Sequence, residues 1–466
     1  MNFAETRFWQ LLVSALGLIL LGRVFLTRVF PSTSAHIDKI ALLGLGMFLL
    51  LSVSWVTFAI FLVVAVSSYV GLAWIIGHHR RRAAIYLLIL IPLQLAPLVY
   101  YKYADFIANR VIGLQIPALH DLAIPVGISF YTFQKVAFVI DTLALNRPLP
   151  RFLDYMNFAG FFPQIVAGPI ERRQDLLPQM EKFRFRWLPV QIDDGARWIA
   201  LGLFFKRCLA DNIAPYVDIS VQNNPYLIWL ANLSFGLRIY YDFAGYSLIA
   251  VGLGRCLGIR LTLNFLSPYC ACSSVEFWRR WHITLSRWFR DYLYIPLGGG
   301  RTKYWAGTVA VVFIVSGIWH GAGWNFLIWG AMHAAFLIIN RTAAKLSLPG
   351  PLGWGLTMLA TFFAWVSFYE SRTEVLITKL RVLLSPAAYH LASLRAAVNQ
   401  IDPGHGTTLV GLLIFSCAVL VLEWLSVRRK NEAYYYLRQP AAVVSLVFLT
   451  VLLAPGHNNA FIYFAF

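Results

Sequence analysis

The sequence lacks charged residues over two long stretches. No Asp, Glu, Lys or Arg occurs in residues 41–77 or in residues 304–340, and charged residues make up only 13% of the chain, against roughly 25% in a typical soluble domain. Each stretch is about twice the ~20 residues that span the hydrocarbon core of a bilayer. The composition therefore excludes an ordinary soluble domain and predicts a membrane protein with two helices in each stretch.

The sequence also lacks features that indicate other classes of protein. It has no polar stretch long enough to fold as a soluble domain, and of its five cysteines only Cys270 and Cys272 are close together. It has no phosphate-binding G-x-x-x-x-G-K-[ST] motif. We expect one membrane domain over residues 1–466, reduced thiols, no structural metal and no bound cofactor. An enzyme that acted alone on a polymer outside the cytoplasm would often carry a soluble domain, so for such a function the lack of one implies a partner protein.

Shorter apolar runs add further membrane segments to the two long stretches. They cover residues 8–21, 83–101, 124–140, 199–216, 227–256, 354–368, 409–425 and 441–452. Because a backbone in lipid must satisfy its own hydrogen bonds, such runs form helices. The sequence therefore predicts an all-α polytopic membrane protein with about 11–13 membrane segments, some of them re-entrant or interfacial.

The positive charge is concentrated in short patches between the apolar runs. The formal net charge is +18, and the patches lie at residues 78–82, 172–186, 279–301 and 428–430. Short basic loops beside membrane spans stay on the cytoplasmic side, so these patches mark that face. Anionic membrane lipids are therefore the expected partners of these patches, and nucleic acid is not.

Residues 276–295 combine apolar and basic side chains at helical spacing. Apolar residues recur at steps of three and four, at positions 277, 281, 285, 288 and 292, while arginines occupy positions 279, 280, 287 and 290. This pattern predicts a basic amphipathic helix that lies in the membrane interface. His282 would sit on the border between its two faces.

One histidine lies deep inside an apolar run. His320 is about a membrane span away along the chain from both Lys303 and Arg341. If two helices meet near Gly321 and Gly323, the break places His320 beside a cavity. A buried imidazole is neutral or paired, so His320 either makes a helix–helix hydrogen bond or serves a reaction or a transport pathway. As a neutral base it could accept a proton from an attacking hydroxyl and return it to a leaving group.

Five segments of the sequence resemble the membrane-bound O-acyltransferases. They cover residues 130–142, 161–172, 239–265, 277–300 and 317–334. The similarity is to the bacterial branch that includes the alginate O-acetylation protein and the teichoic-acid D-alanyl transfer protein. It implies a catalytic core at residues 100–341 and membrane helices arranged around a central tunnel.

The resemblance also implies catalytic residues. By position, His320 in "WHG" matches the family's catalytic histidine, and His282 matches the histidine of "RRWHITLSRW". A terminal aromatic motif with a tyrosine has been proposed in this branch to receive the acyl group. Tyr463, in an extracytoplasmic tail at residues 455–466, is the corresponding residue. Trp319 and Asn325 are candidates for orienting the substrate.

The implied activity is acyl transfer from a thioester made in the cytoplasm to a hydroxyl outside it. In the alginate-like branch the group is acetyl, so acetyl-CoA is the expected donor substrate. It would be attracted to a basic face that includes Arg279, Arg280, Arg290 and Arg301. The acceptor would be an extracytoplasmic polysaccharide, such as an alginate-like exopolysaccharide, cellulose or peptidoglycan. An acetyltransferase partner would complete the transfer, and the protein would lie in the bacterial cytoplasmic (inner) membrane.

Three alternatives remain open from the sequence. D-alanyl transfer from a carrier protein is the second possible chemistry. A transporter of a polysaccharide or lipid-linked sugar would use Asp242 as a substrate or ion site. A scaffold that only docks an extracytoplasmic acetyltransferase would need the histidines for structure alone.

Overall fold

The protein is helical throughout the part of the chain that the structure describes. The computed structural model describes residues 2–29, 34–120, 122–217, 223–343, 348–456 and 459–464, and these residues contain no β-strand. The all-α fold predicted from the sequence is therefore confirmed. The chain divides into two compact units, Met1–Ile199 with Ile249–Thr262 and Ala200–Leu248 with Leu263–Phe466.

The first unit contains the N-terminal helices. They are α1 (Thr6–Val29), α2 (Ser34–Val53), α3 (Trp55–His78), α4 (Ala83–Leu98), α5 (Ile128–Ala144), α6 (Phe152–Ala159), α7 (Phe162–Ile165), α8 (Arg173–Glu181) and most of α9 (Pro189–Leu203). The uncharged stretch 41–77 forms two helices as predicted. Ser54 separates them, since its side chain accepts a hydrogen bond from the amide of Thr57 and caps α3.

The second unit contains most of the remaining helices. They are α10 (Asp211–Ile213), α11 (Pro225–Cys256, whose last residues belong to the first unit), α12 (Ser274–Arg280), α13 (Ile283–Phe289), α14 (Trp305–His320), α15 (Trp324–Thr342), α16 (Gly350–Tyr369), α17 (Thr373–Leu384), α18 (Leu391–Gln400), α19 (Pro403–Arg428) and α20 (Pro440–Leu453). A π-helical segment, Phe204–Ala210, precedes α10, and a 3-10 turn, Ile462–Phe464, follows α20.

Several helices have the length and apolar character of membrane spans. Among the described residues six helices meet both conditions, and α14 and α20 are apolar but shorter. The six spans are Thr6–Leu26, Ala35–Val53, Trp55–His78, Arg80–Tyr103, Gly350–Tyr369 and Gly406–Arg428. The chain is thus a multi-pass membrane protein, while the count of about 11–13 membrane segments and the central tunnel stay predictions.

The uncharged stretch 304–340 also forms two helices, α14 and α15, and they break where the glycines predicted a break. The two helices pack closely because glycines face the partner's backbone. A Cβ atom on Gly317 would lie 2.2 Å from the carbonyl oxygen of Phe326, and one on Gly330 would lie 2.4 Å from that of Phe313. Small residues of this kind let helix backbones approach in membranes. The break leaves His320 as the last residue of α14.

The single amphipathic helix expected over residues 276–295 is wrong. The chain forms α12 and α13 with a break at Trp281 and His282. Asn264 causes the break, because its carbonyl oxygen accepts the amide of Ile283 at 2.8 Å and its side chain accepts the amide of Thr284 at 3.3 Å. These bonds satisfy the first amides of α13 without a preceding helical turn. Trp281 and His282 are each only 1% exposed, so neither lies at a membrane surface.

Candidate active site

His320 lies in an aromatic environment at the end of α14. Its side chain is 2% exposed. The ring centres of Trp319 and Trp329 lie 4.9 Å from that of the imidazole, and the ring centre of Phe368 lies 5.1 Å away. The apolar surroundings favour a neutral imidazole, which is the form that can accept a proton.

His282 is fixed by the helix break between α12 and α13. Its φ of 40° lies in the left-handed region, which non-glycine residues rarely adopt and which is often found at functional sites. Its Nδ1 lies 3.0 Å from the side-chain oxygen of Asn264. Backbone and side chain together therefore define the direction of this imidazole.

The hydrogen bonds around Asn264 also define which nitrogen of His282 carries the proton. The side-chain oxygen of Asn264 accepts hydrogen bonds from the amide and the hydroxyl of Thr284. The same oxygen must accept from His282, so Nδ1 carries the hydrogen and Nε2 carries the lone pair. Burial lowers the pKa of His282 to about 3, which keeps the ring neutral near physiological pH.

The ring of Tyr463 lies close to the rings of both His320 and His282. It lies in the 3-10 turn Ile462–Phe464, and its ring centre is 5.8 Å from that of His320 and 6.5 Å from that of His282. The ring of Phe243, on α11, lies 4.3 Å from that of Tyr463 and 4.7 Å from that of His282. Burial raises the pKa of the Tyr463 phenol above its usual value. The phenol therefore keeps its proton unless a neighbouring base removes it.

The structure brings together the three residues that the resemblance marked as catalytic. Of the tail at residues 455–466 the structure describes residues 455–456 and 459–464, and Phe461 and Ile462 are buried in the second unit. The catalytic roles of His320, His282 and Tyr463 stay predictions. The side of the membrane on which the tail lies also stays a prediction. The geometry places a phenol beside two buried imidazoles, an arrangement that suits transfer of a proton and an acyl group.

Trp319 and Asn325 were both candidates for orienting the substrate. Trp319 lies between the histidines, with its ring centre 5.8 Å from that of His282 and 4.9 Å from that of His320. The side-chain amide of Asn325 donates to the carbonyl oxygen of Ser367 at 3.1 Å. This bond connects α15 to α16, so Asn325 has a structural role. A role of either residue in orienting a substrate stays a prediction.

The four candidate arginines differ in their surroundings. Arg280 pairs with Glu276 and lines a cavity of about 180 Å³. Arg290 is exposed and pairs with Asp291, whose hydrogen bond raises the pKa of the guanidinium. Arg279 and Arg301 are exposed. Binding of a donor by these residues stays a prediction.

Several residues of this cluster cannot be recognised from the sequence. Asn264, Phe243 and Phe368 were assigned no role, although each contacts one of the histidines. The signal for Asn264 was present, because it is an amide residue among apolar neighbours in "LTLNF". A buried amide generally has a hydrogen-bond partner. Nothing in the sequence marks His282 as that partner.

His333 on α15 stacks with Phe277 and packs edge-on against Trp278 and Trp329. The described residues contain no group of three or more His, Cys, Asp or Glu side chains that could hold a metal ion. The five cysteines form no disulfide.

Comparison with known proteins identifies the family. The family model described as MBOAT, membrane-bound O-acyltransferase family, matches residues 44–366. The chain belongs to this family. The match contains His282 and His320 and extends beyond the expected core at both ends. The resemblance found in the sequence is thus confirmed.

Named relatives of this membrane-bound O-acyltransferase are O-acetyl or D-alanyl transferases. It is 31% identical over 422 residues to the peptidoglycan O-acetyltransferase of Helicobacter pylori, covering 79% of this chain and 80% of the relative. It is 35% identical over 386 residues to the probable alginate O-acetylase of Pseudomonas aeruginosa, covering 79% and 72%. It is 30% identical over 239 residues to the teichoic acid D-alanyltransferase of Bacillus subtilis, covering 47% and 59%. The protein is therefore an acyltransferase.

Proposed function

We propose that this enzyme takes an acetyl group from cytoplasmic acetyl-CoA and delivers it for O-acetylation of an extracytoplasmic polysaccharide. It acts in the bacterial cytoplasmic membrane, with an extracytoplasmic acetyltransferase as its partner. The names of the Helicobacter pylori and Pseudomonas aeruginosa relatives support an acetyl group and a glycan acceptor. The main support from the structure is the position of the Tyr463 ring, which contacts the rings of both His320 and His282.

In the first step, Tyr463 receives the acetyl group. The neutral imidazole of His320 accepts the phenolic proton while the phenolic oxygen attacks the thioester carbonyl. The tetrahedral intermediate collapses as the carbon–sulfur bond breaks. The imidazolium of His320 then returns the proton to the departing thiolate. The products are CoA and an acetyl ester of Tyr463.

In the second step, a hydroxyl of the partner enzyme attacks this ester. The imidazole accepts the proton of that hydroxyl and returns it to the phenolate, so Tyr463 is regenerated. The raised pKa of Tyr463 fits this sequence, because a phenol that keeps its proton needs a base at the moment of attack. His282, neutral and with its lone pair on Nε2, can orient the phenol of Tyr463 by accepting its hydrogen bond.

The experiment measures CoA release from acetyl-CoA by the purified protein in detergent, with mass spectrometry of the peptide that contains Tyr463. We expect a stoichiometric burst of CoA and the mass of one acetyl group on Tyr463. Tyr463→Phe keeps the ring and removes only the hydroxyl, so it should abolish both signals. An acetyl group on another residue, or full polymer acetylation by Tyr463→Phe in cells, would contradict the relay.

A matched pair of variants tests His320. His320→Phe and His333→Phe each replace a buried imidazole by a phenyl ring, in neighbouring parts of the same helix pair. We expect His320→Phe to slow CoA release by roughly 10²–10⁴-fold, the usual contribution of a general base. His333→Phe should retain most of the rate, because His333 packs on aromatic rings, including that of Trp329, and has no part in the proposed proton transfer. Equal rates for the two variants would contradict the assignment.

D-alanyl transfer is the second candidate chemistry, and the Bacillus subtilis relative favours it. It uses the same residues but a different donor. Acylation of Tyr463 by a D-alanyl carrier protein, with no reaction of acetyl-CoA, would replace acetyl by D-alanyl in the proposal. The transporter alternative has less support, because the carboxylate of Asp242 already pairs with Lys206 at 2.6 Å.

A further inference from the structure

A buried cluster of charged residues lies beside the C-terminal segment of the second unit. The ammonium of Lys206 is 2.6 Å from a carboxylate oxygen of Asp242 and 2.9 Å from one of Asp211. The side chains of Lys206, Asp211 and Asp242 are 5%, 1% and 2% exposed. Charges in so dry an environment are costly unless they are paired, and paired charges are often found where one arrangement must be specified.

This cluster holds the backbone that leads to Tyr463. A carboxylate oxygen of Asp242 accepts the amide of Ile462 at 2.6 Å, and Lys206 donates to the carbonyl oxygen of Asn459 at 3.0 Å. The side-chain amide of Asn459 donates to the carbonyl oxygen of Asp211 at 3.3 Å. Three contacts therefore fix both ends of the short segment 459–462.

Neighbouring residues extend the same attachment toward α20. The guanidinium of Arg207 pairs with Asp211 and donates to the carbonyl oxygen of Pro455 at 2.7 Å. The side-chain amide of Asn212 donates to the carbonyl oxygen of Leu453 at 2.9 Å. The attachment thus follows the chain from the end of α20 to the residue before Tyr463.

The two contacts at the end of this segment come from adjacent residues of α11. Asp242 accepts the amide of Ile462, and the ring of Phe243 packs on the ring of Tyr463. Consecutive residues of a rigid helix therefore hold consecutive residues of the tail. Such a pair controls the position and the direction of the Tyr463 ring, which an acyl acceptor requires because small displacements slow transfer strongly.

We propose that Lys206, Asp211 and Asp242 are positioning residues for acyl transfer, which hold the C-terminal segment so that Tyr463 lies between His282 and His320. This inference rests on the proposed role of Tyr463 as acyl acceptor. The charged cluster does not touch the reacting atoms. It acts through the backbone of residues 459–462.

Three variants of the full-length chain in detergent test the proposal. Asp242→Leu removes the charge and the acceptor oxygen, whereas Asp242→Asn keeps an acceptor oxygen and removes the charge. Ile462→Pro removes the backbone donor and replaces the buried isoleucine side chain by the smaller proline ring, at the first position of a 3-10 turn, where the fixed φ of proline is tolerated. Asp193→Asn, which changes an exposed carboxylate on α9, is the control.

Two measurements are made on each variant. Hydrogen exchange of a peptide that covers residues 459–464 reports whether the segment is held, and single-turnover CoA release from acetyl-CoA reports the chemistry. For Asp242→Leu and Ile462→Pro we expect exchange to be at least about tenfold faster, since a held amide exchanges only through local opening. We expect CoA release to be about 10²-fold slower, with less than about a twofold change in the acetyl-CoA concentration at half-maximal rate. Asp242→Asn should fall between these variants and the parent.

The outcomes separate the inference from the proposed function. Unchanged exchange in Asp242→Leu and Ile462→Pro overturns the inference, because the cluster then does not hold the segment. Faster exchange with unchanged CoA release also overturns it. If Tyr463→Phe is active in that second case, the proposed acyl relay fails as well; if Tyr463→Phe is inactive, only the positioning role fails. Should Asp242→Leu not fold, Asp242→Asn and Ile462→Pro give the same decision.

Discussion

The side-chain oxygen of Asn264 lies 3.0 Å from Nδ1 of His282, and the same oxygen caps the first turn of α13. One amide therefore sets the direction of an imidazole and the start of the helix that follows it. The bond also keeps the lone pair of His282 on Nε2. A residue 18 positions before His282 in the sequence thus determines the orientation of this histidine.

Replacement of Asn264 should impair catalysis more than substrate binding. Asn264→Leu removes the acceptor for His282 and Thr284, so we expect single-turnover CoA release to slow by about 10²-fold with little change in the half-saturating acetyl-CoA concentration. Asn264→Asp keeps an acceptor oxygen, so it should retain more of the rate than Asn264→Leu at pH 8. Asn340→Leu makes the same change at a partly buried site of α15 and serves as control. Equal rates for Asn264→Leu and Asn264→Asp would show that the hydrogen bond has no role.

The stability of the protein should depend on pH through His282. Its folded pKa of about 3 lies below the ~6.5 of an unfolded chain, so unfolding takes up a proton between these values. The stability that the neutral imidazole of His282 contributes is complete above pH 6.5 and is lost as the pH falls toward 3. From pH 8 to pH 5 the loss amounts to about 2 kcal/mol of the free energy of unfolding.

The variant His282→Gln isolates this contribution. It should lose about 2 kcal/mol less than the parent between pH 8 and pH 5, as measured by denaturant unfolding in micelles at both pH values. His78→Gln replaces an exposed histidine and serves as control. Parallel pH profiles for His282→Gln and the parent would contradict the buried, neutral state of His282.

The close packing of α14 and α15 should tolerate no added methyl group. A Cβ on Gly317 meets backbone atoms of Phe326, which cannot move aside as a flexible side chain could. We expect Gly317→Ala to lower the free energy of unfolding by about 1–3 kcal/mol. Gly307→Ala is a control in the same helix, because nothing lies within 4 Å of the added Cβ. It should be neutral or stabilising by up to about 1 kcal/mol, as measured by thermal unfolding in detergent. Equal losses in both variants would argue against close packing.

The two helix breaks show what could be predicted from the sequence. The break after His320 was predictable, because Gly321 and Gly323 interrupt an apolar run that is long enough for two helices. The break at His282 was not, because the apolar spacing continues across it. Asn264 produces that break through contacts with a segment that follows in the chain. The spacing of apolar residues within one segment carries no information on a contact with another segment of the chain.

The cluster around Tyr463 was predictable only in part. The resemblance marked His320, His282 and Tyr463, but nothing in their spacing says that the tail returns to them. In the structure the tail is hydrogen-bonded to Lys206 and Asp242, which are distant from it in sequence. Asp242 is unusual in the sequence because it is a charged residue in an apolar region. From the sequence alone, its suggested role is that of a substrate or ion site in a transporter. The structure shows that its partners are a lysine and a backbone amide.

The pair Glu370–Lys379 should stabilise the end of α16, whose Phe368 packs on His320. Burial alone raises the pKa of Glu370, but hydrogen bonds from Arg372 and Lys379 outweigh it and hold the pKa below its usual value. Lys379→Met leaves the buried carboxylate with only the exposed Arg372, so we expect it to cost about 3 kcal/mol of the free energy of unfolding at pH 7. Arg372→Gln should cost less, because Lys379 remains.

The direction in which stability changes with pH tests whether the pair Glu370–Lys379 acts through the charge of Glu370. A carboxylate with a lowered pKa contributes stability above its unfolded pKa, and this contribution is lost as the pH falls through the folded pKa. The gap in stability between Lys379→Met and the parent should therefore narrow once the pH is taken below about 4.5, the ordinary pKa of the group. Unfolding in micelles at pH 7 and at pH 4 measures it. A gap that stays constant would mean that Lys379 stabilises the protein through packing on Tyr369, whose ring centre is 5.0 Å from its ammonium, and not through the charge of Glu370.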